Sequence, residues 1–126
     1  MTTRDVLIHW LEFVNAGDAQ GAAALYAPDA ALLPTFSARA LLTHDDRVKY
    51  FEMLAGRPQS SVTLHEGTVR EFKLSDTAGT LSGLYAFRFE LDGQLLTFEA
   101  RFTYVIDTAQ RAPILHHHSS QIPRGM

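Results

Sequence analysis

Three imidazoles and two hydroxyls follow one another at His116-His117-His118-Ser119-Ser120, a dense run of groups able to move a proton. Imidazole titrates near neutrality, so His116, His117 and His118 are candidate general acids or bases. Pro113, Ile114 and Leu115 before them read as the start of a strand. Strand side chains alternate, which sends His116, His118 and Ser120 to one face and His117 and Ser119 to the other. Polar groups packed this densely are costly in a sheet unless they are hydrogen-bonded, exposed or used. His116 and His118 share a face as two metal ligands would, but the spacing supplies no third ligand, so neither a metal nor another cofactor is expected. Poly-histidine, Ser-Ser and Pro123-Arg124-Gly125 together also echo a purification tag with its protease site. Only three histidines occur, in register with a strand, and this favours a native segment.

The groups that would position this run lie upstream. Val6, Leu7, Trp10, Leu11 and Val14 recur at helical spacing behind a Thr2/Asp5 capping box. Gly17 stops that helix, and Asp18 caps a second one carrying Ala22, Leu25 and Tyr26 and ending at Pro28-Asp29. A brief extended piece, Ala31 to Leu33, precedes a third helix capped by Thr43, with Val48, Phe51 and Leu54 on its buried stripe. After residue 60 the period changes to two. Val62 and Leu64 alternate up to a polar middle at Glu66-Gly67, where a bulge is expected. Leu81, Tyr85, Phe87 and Phe89 alternate with polar residues, Asp92-Gly93 signals a hairpin, and Phe98, Ala100, Phe102, Tyr104 and Ile106 mirror the pattern. Helices followed by long antiparallel strands give an α+β class, in which a strongly curved sheet wraps three N-terminal helices into a cone with a pocket inside.

Composition narrows the functions. The 126 residues are expected to form one domain, residues 1–126. A net charge of −3 gives no electrostatic footprint for nucleic acid. No apolar run approaches the length of a membrane span, and the N-terminus, with Asp5 and Glu12 in its periodic segment, does not read as a signal peptide. Zero cysteines exclude disulfides, thiolate nucleophiles and Cys-ligated zinc. A cytoplasmic protein with no nucleic-acid and no membrane partner is expected.

Four stretches carry a resemblance. Asn15-Ala16-Gly17-Asp18 leads into Leu25-Tyr26-Ala27-Pro28-Asp29-Ala30; Leu33-Pro34-Thr35-Phe36-Ser37 precedes the third helix; Glu99-Ala100-Arg101 and Ile114 to Ser120 close the chain. Together they resemble the nuclear-transport-factor-2-like (SnoaL-like, cystatin-like) superfamily, and within it the association domain of calcium/calmodulin-dependent protein kinase II and its stand-alone bacterial relatives. The ending departs from that pattern at Ala112, where a tryptophan is usual, and at Ser119, where a basic residue is usual. No kinase domain or calmodulin-binding helix is present in this sequence, so neither kinase activity nor calmodulin binding is implied.

The resemblance implies a homodimer or higher oligomer and places Arg101 in the pocket, where a guanidinium holds a carboxylate bidentately. Ligand-binding candidates are thus Arg101, Arg88, Ser119 and Tyr26, with the three histidines as catalytic candidates. Arg101 could equally pair across strands with Glu90 or Glu99. Periodicity raises a conflict: Phe87, Phe89, Phe98 and Phe102 face away from Arg88 and Arg101. Either the aromatic face packs in a dimer interface and the arginines line the pocket, or the reverse holds. The carboxylate base of ketosteroid isomerases has no counterpart, because Leu32-Leu33-Pro34-Thr35 contains no acid. Three readings follow: a homodimeric binder of a small acidic or polar molecule, an isomerase, dehydratase or cyclase using histidine acid/base chemistry, and a structural oligomerisation module.

Overall fold

A computed structural model describes residues 1–123 of the chain. Arg124 and Gly125, on which the tag-like ending depends, lie outside the described residues. Helix α1 (Thr3–Asn15) begins at the expected capping box, with Thr2 and Asp5 exchanging side-chain-to-backbone hydrogen bonds. Helix α2 (Ala19–Ala24) is capped by Asp18 and α3 (His44–Ala55) by Thr43. The strands are β1 (Tyr26–Leu33), β2 (Ser61–Lys73), β3 (Ala78–Leu91), β4 (Gln94–Asp107) and β5 (Ile114–Gln121). They form one sheet in the order β1-β5-β4-β3-β2, antiparallel except for the parallel pair β1/β5, so the fold is α+β with a mixed sheet. Asp92 and Gly93 both take positive φ, 53° and 80°, at the β3/β4 turn, the conformation that Asp-Gly accepts at least cost. The bulge expected near Gly67 is present as a register shift between His65 and Arg70.

The second helix is shorter than its apolar spacing suggests. It ends at Ala24, and Tyr26, Pro28 and Asp29 belong to β1 instead. Proline is tolerated there because β1 is an edge strand whose ladder to β5 is interrupted between Tyr26 and Ala31. Arg47 of α3 fills the interruption. Its guanidinium, buried completely, donates to the carbonyls of Ala30 (2.8 Å), Ala27 (3.1 Å) and Pro28 (3.3 Å). Carbonyls that lose sheet partners at a bulge thus regain them from a side chain.

The sheet resolves the conflict between its faces. Tyr85, Phe87, Phe89, Phe102, Tyr104 and Ile106 are all buried, and the inner face they form packs on α1 and α3 through Trp10, Phe51 and Leu54. Trp10 stacks on Tyr85 at 5.6 Å and meets Tyr104 edge-on. Phe36, in the segment after β1, closes one end of this core by edge contacts to Phe87, Phe89 and Phe98. The aromatic face is the core, and the arginine face is the outer surface of the sheet.

Candidate functional site

Strand β5 runs between β1 and β4, so its alternating residues are presented to two different environments. His117 lies opposite Tyr104 and Leu32 and points into the core, where it is 2% exposed. The Tyr26 hydroxyl lies 2.7 Å from its Nδ1 and the Tyr85 hydroxyl 3.1 Å from its Nε2. Trp10 Nε1 donates to the Tyr26 oxygen at 2.9 Å. Because that oxygen already accepts from Trp10, we assign its proton to the bond with Nδ1, which leaves the Nε2 proton to be donated to Tyr85. The Tyr104 ring stacks on the imidazole at 3.8 Å. Beside them Ser119, also buried, meets the Thr35 hydroxyl at 2.5 Å.

This cluster carries no charge near neutral pH. Burial, reinforced by the neighbouring His116 and His118, holds the His117 imidazole well below its ordinary value. Burial likewise pushes the hydroxyls of Tyr26, Tyr85 and Tyr104 up. The cavity between Thr35, Tyr50, Tyr85, His117 and Ser119 is about 10 Å³, space for about one water, and no carboxylate lines it. The imidazole is thus held through both nitrogens as a hydrogen-bonded group of the core.

His116, His118 and Ser120 of β5 face outward. His116 lies opposite Val105, His118 opposite Thr103 and Ser120 opposite Arg101. Arg101 Nε lies 3.4 Å from the Ser120 oxygen, and the side chain is exposed. Arg101, His118, Ser120, Thr103, Ser82 and Thr68 line a concavity of about 480 Å³ on the outer face, and no acidic side chain lines it. Among the described residues Arg101 forms no ion pair with Glu90 on β3 or with Glu99, two residues away on its own strand; Glu99 instead meets His65 at 2.8 Å. The lining is therefore one fixed cation, one imidazole and four hydroxyls.

The candidate residues thus divide between two places. Tyr26, His117 and Ser119 belong to the inner cluster, and Arg101, His116 and His118 to the outer face. The resemblance places Arg101 in the pocket; strand parity sets it on the outer face of the sheet, paired with Ser120, and the core-facing neighbour is Phe102. Arg88 shares the outer face but stands four residues along β3 from Leu84, the partner of Arg101, about 13 Å away along the strand. It does not line the concavity. Among the described residues, no group of three metal-ligating side chains converges, and no helix is long and apolar enough to cross a membrane.

Sequence reading passed over Tyr85, Tyr104, Thr35, Thr103 and Arg47. Tyr85 and Tyr104 had a signal, as hydroxyls interrupting rows of inward phenylalanines. Arg47 had none, since a charged residue in the first turns of a helix ordinarily reads as solvated.

Comparison with known proteins follows the fold. The family model described as the calcium/calmodulin dependent protein kinase II association domain matches residues 3–123. A solved structure of a candidate calcium/calmodulin dependent protein kinase II association domain from Xanthomonas campestris superposes with a TM-score of 0.85 at 27% identity, covering 96% of this chain and 86% of that one. A candidate dehydratase of the NTF2-like family from Streptomyces avermitilis gives 0.78 at 11% identity, covering 97% and 95%. A ketosteroid isomerase-like protein from Erwinia carotovora atroseptica gives 0.74 at 11%, covering 95% and 93%. At such identities the last two show the shared fold alone. No curated protein matches the sequence.

Proposed function

The chain belongs to the calcium/calmodulin dependent protein kinase II association domain family, and from that membership we propose a self-associating protein that binds small acidic organic molecules. The seat is the outer-face concavity, not the interior of the cone. One observation carries the reading: Arg101 lines that concavity with no acidic partner in the lining, beside the hydroxyls of Ser120, Thr103 and Ser82. A guanidinium is charged at every physiological pH and offers a planar fork of donors that matches a carboxylate. Hydroxyls around it can donate to the remaining lone pairs of the anion.

Self-association, as a homodimer at least, uses the same uncovered sheet face. Arg70 and Arg88 share that face with Glu90 and Glu99, so two copies related by a two-fold axis can set opposite charges against each other and leave Arg101 to its concavity. A cytoplasmic location belongs to this reading. An isomerase, dehydratase or cyclase reading draws on fold-level likeness; both ring nitrogens of His117 are engaged, which leaves His118 in the outer concavity as the imidazole such a reading would use.

Thermal-shift screening of wild type and Arg101→Ala across a panel of organic carboxylates tests the binding role. At least one carboxylate is expected to raise the wild-type Tm and to leave the variant unmoved. Equal shifts in both proteins, or none in either, would leave a structural oligomerisation module as the surviving function.

A further inference from the structure

We infer that the acidic ligand carries two anionic groups, one held by Arg101 and the other by Arg39, straddling His118 and Ser120 of β5. The inference rests on the binding role proposed for Arg101 and specifies the ligand class. A second concavity of about 320 Å³ adjoins the first; His118 and Ser120 line both. Its origin lies in the topology. Strand β1 ends at Leu33, opposite His118, and the chain turns away at Pro34, while β5 continues to Gln121 without a neighbour on that side. The hollow left beside β5 is walled by Thr35, Ser37, Arg39 and Ser119.

The chemistry repeats that of the first concavity: one guanidinium, several hydroxyls and no acidic side chain in the lining. Arg39 has a counter-ion, Asp46, at 3.5 Å, but its side chain is 71% exposed. An ion pair so open to water contributes little, and a ligand carboxylate that binds the fork bidentately can replace it. Strand β5 alone divides the two hollows, and neighbouring strands lie about 5 Å apart, so the ridge is narrow enough for one flexible molecule to span. Joining two anions through a short spacer makes the second contact intramolecular, which raises affinity without any new contact.

The experiment is calorimetric titration of wild type, Arg39→Ala and Arg101→Ala with the α,ω-dicarboxylates from succinate to suberate and with the monocarboxylate of each length. In wild type at least one dicarboxylate is expected to bind about tenfold or more tightly than its monocarboxylate. Arg39→Ala should erase that advantage, whereas Arg101→Ala should weaken the binding of both classes. Equal affinity of wild type for mono- and dicarboxylates, or a dicarboxylate advantage that survives Arg39→Ala, overturns the two-anion inference while the Arg101 role stands. Binding of neither class removes the Arg101 role and this inference with it.

Discussion

His117 and Arg101 show how two polar residues three rungs apart on adjoining strands are given opposite duties by the direction they face. His117 is held by Tyr26 and Tyr85 in a fully engaged, neutral state. Tyr26→Phe strands the indole donor of Trp10 and the Nδ1 acceptor of His117. The expected cost is about 1–3 kcal/mol in urea unfolding, with the fold retained by far-UV circular dichroism. The depressed imidazole also fixes a pH dependence. Below the ordinary value of 6.5 the unfolded chain takes up a proton at residue 117 that the folded chain refuses. This contribution is therefore fully present above that pH and is lost as the pH falls, by about 1.4 kcal/mol per pH unit. Urea melts of wild type and His117→Gln between about pH 7 and pH 5 check this; the variant should lose about one proton's worth of slope. The alternation of the run was legible in the sequence, so the separation of His117 from His116 and His118 could be read directly. Its hydrogen-bond partners could not, because Tyr26, Tyr85 and Trp10 come from three elements whose meeting depends on tertiary packing.

At the scale of elements, the sequence announced strands and caps through local chemistry. Thr2, Asp18 and Thr43 cap as their types suggest, and Asp92-Gly93 turns where alternation breaks. The start of β1 was not legible. Ala22, Leu25 and Tyr26 fit a helical stripe, and only Arg47, distant in sequence, makes an interrupted edge strand at Pro28 affordable by supplying donors to its carbonyls. Arg47→Met removes those donors, and a loss of about 3 kcal/mol is expected by urea denaturation, well above that of an exposed arginine. The β2/β3 pairing has a similar tight point. A Cβ at Gly83 would lie 3.0 Å from the Phe102 ring and 3.3 Å from the Val69 backbone. Gly83→Ala should therefore destabilise by about 1–3 kcal/mol through overpacking, read as a lowered Tm.

For the whole molecule, the class and the association-domain family were within reach of the sequence, since their signals are spread along the chain. Which face of the sheet is core was not, because both faces offered a plausible partner, aromatic rings on one and paired charges on the other. The helices settle it by covering the aromatic face, and the uncovered face is where association and ligand binding are proposed. Sedimentation velocity at micromolar protein should give a dimer or larger species; a monomer there would remove self-association from the proposal. The most direct test of the central claim follows side-chain nuclear magnetic resonance signals during titration with the carboxylate that most stabilises the protein. The Arg101 Nε–H and the His118 ring should shift in a saturable manner while the buried His117 ring stays fixed. A saturable shift at His117 with Arg101 unmoved would place the ligand inside the cone and contradict an outer-face seat.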